Sequence, residues 1–108
     1  MIQIFDMKEL DSVLKIYKKE GFESEKLITA LIELREVFKA AENPTLTKVT
    51  RLVYEYIQVN KKFDIDVFEE RGADEETSFE YLLMLMSKAD NPLNLEEIQE
   101  YKGLLLEA

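Results

Sequence analysis

The side chains with chemical potential in this chain are carboxylates. Twenty-three Asp and Glu stand against fourteen Lys and Arg in 108 residues, a formal net charge of −9, and there is no His, Cys or Trp. Without Cys and His there is no disulfide scaffold, Cys/His zinc site, covalent haem, thiol nucleophile or His general base. A Ser-His-Asp triad is excluded on the same ground. What remains is carboxylate chemistry, either metal binding or acid–base work by paired acids.

The carboxylate motifs fail when tested by position. A calcium loop beginning at Asp64 puts Asp66 third and Glu75 twelfth. Its fifth and sixth places hold Phe68 and Glu69, where an oxygen ligand and a glycine are needed. Gathering Mg²⁺ between facing helices takes Glu-x-x-Glu on one helix and Glu-x-x-Asp on the next. Glu33-x-x-Glu36 and Glu97-x-x-Glu100 supply the first half, and no Glu-x-x-Asp follows either. Di-iron bundles need Glu-x-x-His. Gly21, Gly72 and Gly103 are isolated, so there is no glycine-rich phosphate loop. Paired acids of the glycosidase type pass on composition, but a chain this small offers little depth for a cleft and lacks Trp for sugar stacking. The expectation is a non-enzymatic protein without cofactor or metal.

The elements that position these residues read as helices in a single domain spanning residues 1–108. The first is expected from Met7 to Glu20, capped by Asp6 with Glu9 completing a capping box, and ended by Gly21. The second is expected from Glu25 to Ala41 behind a Ser24 cap, with Leu27, Leu31, Leu34 and Phe38 as its stripe. Asn43-Pro44 ends it, because a residue before Pro avoids helical angles. The third runs from Leu46 or Lys48 to Asn60, with Thr45 and Thr47 competing for the cap. The fourth runs from Asp74 or Thr77 to Ala89. The fifth runs from Leu95 to Leu106, with Asn94 and Glu97 as a capping box and Asn91-Pro92 as the break before it. Four to five amphipathic helices with short connections make a compact all-α bundle.

One stretch is ambiguous. Phe63-Asp64-Ile65-Asp66-Val67-Phe68 alternates apolar and acidic residues in the manner of a strand, as Ile2 and Ile4 do around Gln3. A short two-stranded pairing of Ile2 to Phe5 with Phe63 to Val67 competes with a helical turn from Val67 to Arg71, capped by Asp66 and ended by Gly72.

Charge is divided sharply along the chain. Residues 1–62 hold eleven basic and ten acidic side chains; residues 63–108 hold three basic and thirteen acidic. The densest part contains Asp64, Asp66, Glu69, Glu70, Asp74, Glu75, Glu76 and Glu80 against Arg71 alone. Helix-opening acids explain some of these, since carboxylates favour the positive end of the helix dipole. Eight together cost self-repulsion that a basic partner surface would relieve. Lys15, Lys18, Lys19 and Lys26 form a positive cluster near the first helix–helix turn. Clustered acidity argues against direct nucleic-acid binding.

The apolar run Tyr81-Leu82-Leu83-Met84-Leu85-Met86 carries two stripes at 100° per residue. Phe79, Leu82, Leu83 and Met86 make one; Tyr81, Met84 and Leu85 make the other. Such a helix is either central or presents its second stripe to a partner. The run is far too short to span a bilayer, and the N-terminus lacks the pattern of a signal peptide, so a cytoplasmic protein away from membranes is expected.

Three readings follow. The first is a protein–protein interaction module, a small adaptor or regulator, using Asp64, Asp66, Glu69, Glu70, Asp74, Glu75, Glu76, Tyr81, Met84 and Leu85. The second is an acidic inhibitor or nucleic-acid mimic that covers a basic active site or groove. The third is a carboxylate-metal enzyme. A homodimer that docks the near-neutral half on the acidic half is a further option.

Overall fold

The computed structural model describes residues 8–68 and 76–108. Within them lie five helices: α1 (Lys8–Glu20), α2 (Glu25–Ala40), α3 (Pro44–Asn60), α4 (Ser78–Ser87) and α5 (Pro92–Glu107). The all-helical expectation holds. The Asp6 cap and the pairing partner Ile2 to Phe5 lie outside the described residues.

Local chemistry explains the helix ends. Gly21 adopts φ +77°, which an L side chain rarely tolerates, and its N–H closes α1 onto the Tyr17 carbonyl at 2.8 Å. Ser24 caps α2 as expected, accepting from the N–H groups of Lys26 and Leu27. The two Asn-Pro pairs act differently from the expectation. The preceding helices already end at Ala40 and Ser87, and each pair instead starts the next helix. Asn43 accepts the Leu46 N–H at 3.0 Å and Pro44 is already helical, so Thr45 and Thr47 are not caps. Asn91 accepts the Leu93 N–H at 2.9 Å ahead of Pro92. A proline at the first helical position gives up an N–H that had no partner anyway. The expected Asn94–Glu97 capping box is therefore not formed. Asn94 instead donates to the Lys88 carbonyl at 3.1 Å, and Glu97 accepts the Tyr81 hydroxyl. For α4, Thr77 and Glu80 form a full capping box, and the helix stops at Ser87 rather than Ala89.

The stretch from Phe63 to Val67 is neither strand nor helix, and no strand occurs among the described residues. Burial follows the alternation only at its start, because Asp66 is half-buried like its apolar neighbours. Phe63 is buried and Ile65 and Val67 are half-buried, while Asp64 faces solvent. The Ile65 carbonyl accepts the Ser78 hydroxyl instead of a ladder N–H. Asp66 accepts the Phe68 N–H at 3.1 Å, which bends the chain there. The remainder of the expected turn, to Arg71 and Gly72, lies outside the described residues.

The helices pack as a ring in the order α1, α2, α3, α5, α4 and back to α1. Leu27, Leu31, Leu34 and Phe38 of α2, Val49, Val53 and Ile57 of α3, and Ile98, Tyr101 and Leu105 of α5 fill the interior. Helix α4 adds Phe79, Leu82, Leu83, Leu85 and Met86, so it is a core helix. Phe79 is the aromatic hub. Its ring lies 4.9 Å from Tyr17, 5.3 Å from Phe22 and 5.8 Å from Phe63. Phe63 in turn stacks on Tyr101 and meets Tyr56 edge-on.

Replacing Phe79 with Ala should cost about 3–5 kcal/mol of stability, as large core truncations do. Leu106, 55% exposed, should change stability by less than about 0.5 kcal/mol when replaced by Ala. Urea denaturation of both variants checks the contrast, and a mild Phe79→Ala would contradict the hub.

Candidate functional site

The ring closes unevenly at α1 and α4. At one end the last turn of α1 is tied to the first turn of α4. Tyr17 packs on Phe22 and Phe79 and donates its hydroxyl to Thr77 at 3.1 Å. Lys18 lies 3.9 Å from Glu80. Glu80 meanwhile accepts the Thr77 N–H at 2.9 Å, so its carboxylate is held in place by the helix cap. Farther along, the helices meet through smaller aliphatic groups, and a groove of about 360 Å³ opens between them. Leu10, Leu14, Leu83 and Met84 line it, with Asp11, Lys18, Glu76, Glu80 and Ser87.

This geometry redistributes the residues singled out in the sequence. Met84 and Glu76, from the apolar and acidic sets respectively, meet in the groove together with Glu80. Leu85 is fully buried, which removes it from any surface of the folded chain. Tyr81 is half-buried beside α5. Its ring meets Phe68 at 5.2 Å and its hydroxyl donates to Glu97 at 2.7 Å. Asp64 and Asp66 line a different, shallower depression of about 280 Å³ with Ile65, Leu104 and Glu107. Glu69, Glu70, Asp74 and Glu75 lie outside the described residues. Six groove residues, Leu10, Asp11, Leu14, Lys18, Leu83 and Ser87, are not among the candidate site residues read from the sequence; Lys18 stands there only in the positive cluster and Leu83 only in the first stripe of the fourth helix. Leu10, Leu14 and Lys18 fall four apart on α1, a line that reads equally well as the edge of a core stripe.

The apolar residues at the end of α5 divide as well. Leu105 is buried, whereas Leu104 and Leu106 are exposed. Gly103 lies inside α5, which continues unbroken to Glu107.

Among the described residues no group of three or more Asp and Glu is arranged to hold a metal ion. No helix there is long and apolar enough to cross a membrane. Compared with known proteins, the chain matches no family model, no curated protein and no solved structure.

Away from the groove, Asp64 sits in a small polar network. It accepts the Tyr56 hydroxyl and lies 3.3 Å from Lys62. Hydrogen bonds from Tyr56 and then from Lys62 hold its carboxyl below the usual range. The bond to Asp64, followed by burial and the Asp64 charge, raises the Tyr56 phenol. The signs define two windows. Asp64 stabilises the fold above the ordinary Asp pKa and loses that contribution as pH falls through its lowered value. Tyr56 stabilises below the ordinary Tyr pKa and loses its contribution as pH rises through its raised value. Tyr56→Phe should move the Asp64 carboxyl back up toward the ordinary Asp pKa in a carbon-detected NMR titration. An unmoved titration would contradict the bond.

Proposed function

We propose that this chain is a protein-binding module whose docking site is the α1–α4 groove. The observation that carries this reading is an apolar floor within an acidic rim. Leu10, Leu14, Leu83 and Met84 form the floor, and Asp11, Glu76 and Glu80 flank it with Lys18. Protein interfaces have this anatomy, an apolar centre surrounded by polar groups. Small-ligand pockets begin at about 300 Å³, so the volume alone does not decide. The position of the polar groups supports a protein partner. They stand on the exposed and half-exposed edges of α1 and α4 and, for Glu76, just ahead of α4, whereas a small ligand is oriented by polar groups converging inside a pocket.

Met84 suits the role because its unbranched side chain adapts to irregular partner surfaces. An inhibitor of basic sites would use the same carboxylates. The apolar floor favours a partner that also inserts apolar side chains, and it makes Met84 the residue to change.

The test is a selection of random 20-residue peptides on the whole chain. Three proteins are then compared: the wild type, Met84→Gln, and Val59→Gln as a control. Val59 is 81% exposed and is not among the groove residues. The glutamine at position 84 keeps side-chain length while placing an unpaired amide against the partner. Enriched peptides should bind the wild type and Val59→Gln alike, and bind Met84→Gln about tenfold more weakly, the cost of roughly 1.4 kcal/mol at one anchor. Peptides indifferent to Met84→Gln would overturn the reading.

A further inference from the structure

We propose that the segment received by this groove is a short amphipathic helix with basic flanks; the inference rests on the docking reading above.

The shape of the groove points to a helix. One wall is the line Leu10, Leu14 and Lys18 of α1, about 12 Å long at 1.5 Å per residue. The other is Glu80, Leu83, Met84 and Ser87 of α4, about 10 Å long. Two helical walls of some two turns accept a third helix, which lays down apolar side chains three or four residues apart. A peptide that adds a strand would instead need a sheet edge with open N–H and C=O groups, and a polyproline II segment would need an aromatic-lined groove, whereas the described lining here holds no aromatic. No strand exists among the described residues, and helical walls satisfy their backbone groups internally.

The charges point to basic flanks. Three carboxylates and one ammonium line the groove. Lys18 faces Glu80 at the closed end. Asp11 stands on α1 two turns before Lys18, beside the apolar floor. A Lys or Arg on the incoming helix, one turn from its apolar anchors, would meet Asp11. The net charge of −9 adds long-range attraction for a cationic segment and repels an acidic one.

Three synthetic helical peptides distinguish the outcomes: Leu/Lys in a helix-period pattern, Leu/Glu in the same pattern, and the Leu/Lys composition rearranged without an apolar face. Binding to the full chain is read by fluorescence anisotropy, and its location by amide and methyl NMR shifts. The patterned Leu/Lys peptide should shift Leu10, Leu14, Leu83 and Met84 and weaken as salt rises. It should lose about tenfold on Met84→Gln and up to about fivefold on Asp11→Asn, the range for one exposed charge pair. If the Leu/Glu peptide occupies the groove equally well, docking stands and the basic helix is overturned. If the rearranged peptide binds as tightly as the patterned one, attraction to the acidic surface as a whole explains the binding, and the inference is overturned. If no peptide shifts the groove signals, both the inference and the docking reading fail.

Discussion

Burial of the Phe79 ring is the constraint on which the rest of the arrangement depends. The ring is almost fully enclosed at the second position of α4. It touches one aromatic from α1, one from the turn after α1 and one from the connector before α4. The end of α1 with its following turn, and the connector before α4, two stretches far apart in sequence, are thus held against the first turn of one short helix. Aromatic pairs contribute about 0.5–1.5 kcal/mol each beyond their buried area. The nearby Lys18–Glu80 pair has its lysine largely in solvent, and such pairs contribute about 0–1 kcal/mol. Aromatic packing, more than ion pairing, closes the ring of helices.

That closure is one-sided, and the groove follows from it. The aromatic residues, the Thr77–Glu80 capping box and the Tyr17–Thr77 hydrogen bond all gather where α1 ends and α4 begins. Toward the start of α1, Leu10, Leu14, Leu83 and Met84 line the groove between the two helices, and no aromatic side chain is among its described lining residues. Apolar surface is left partly open where both walls are rigid helices. A groove preformed between two helices would spend little ordering entropy on receiving a partner.

Much of this fold was legible in the sequence. Helical spacing located all five helices, and Gly21 and Ser24 behaved as their chemistry implies. The misread points share a cause: local signals with two structural uses. Asn-Pro reads as a stop, yet the same pair is a cap followed by a residue favoured at the first helical position. Alternation from Phe63 to Phe68 reads as a strand, yet the stretch is a connector anchored by the buried Phe63, with no partner strand among the described residues. The site was less legible because it is made by packing between helices distant in sequence. Charge density along the chain grouped Asp64 with Glu80, and the fold sends them to different depressions. The second stripe of α4 grouped Tyr81, Met84 and Leu85. In three dimensions these face α5, the groove and the core respectively.

The central claim is that the open part of the α1–α4 seam is where a partner protein sits. The most direct measurement places a photoreactive amino acid at position 84 in the cell of origin and sequences whatever peptide it captures. A parallel strain carries the same group at position 59. The expected result is one dominant adduct specific to position 84, joined to a segment with helix-period apolar residues and flanking Lys or Arg. Adducts indistinguishable between the two positions, or none at position 84, would contradict it.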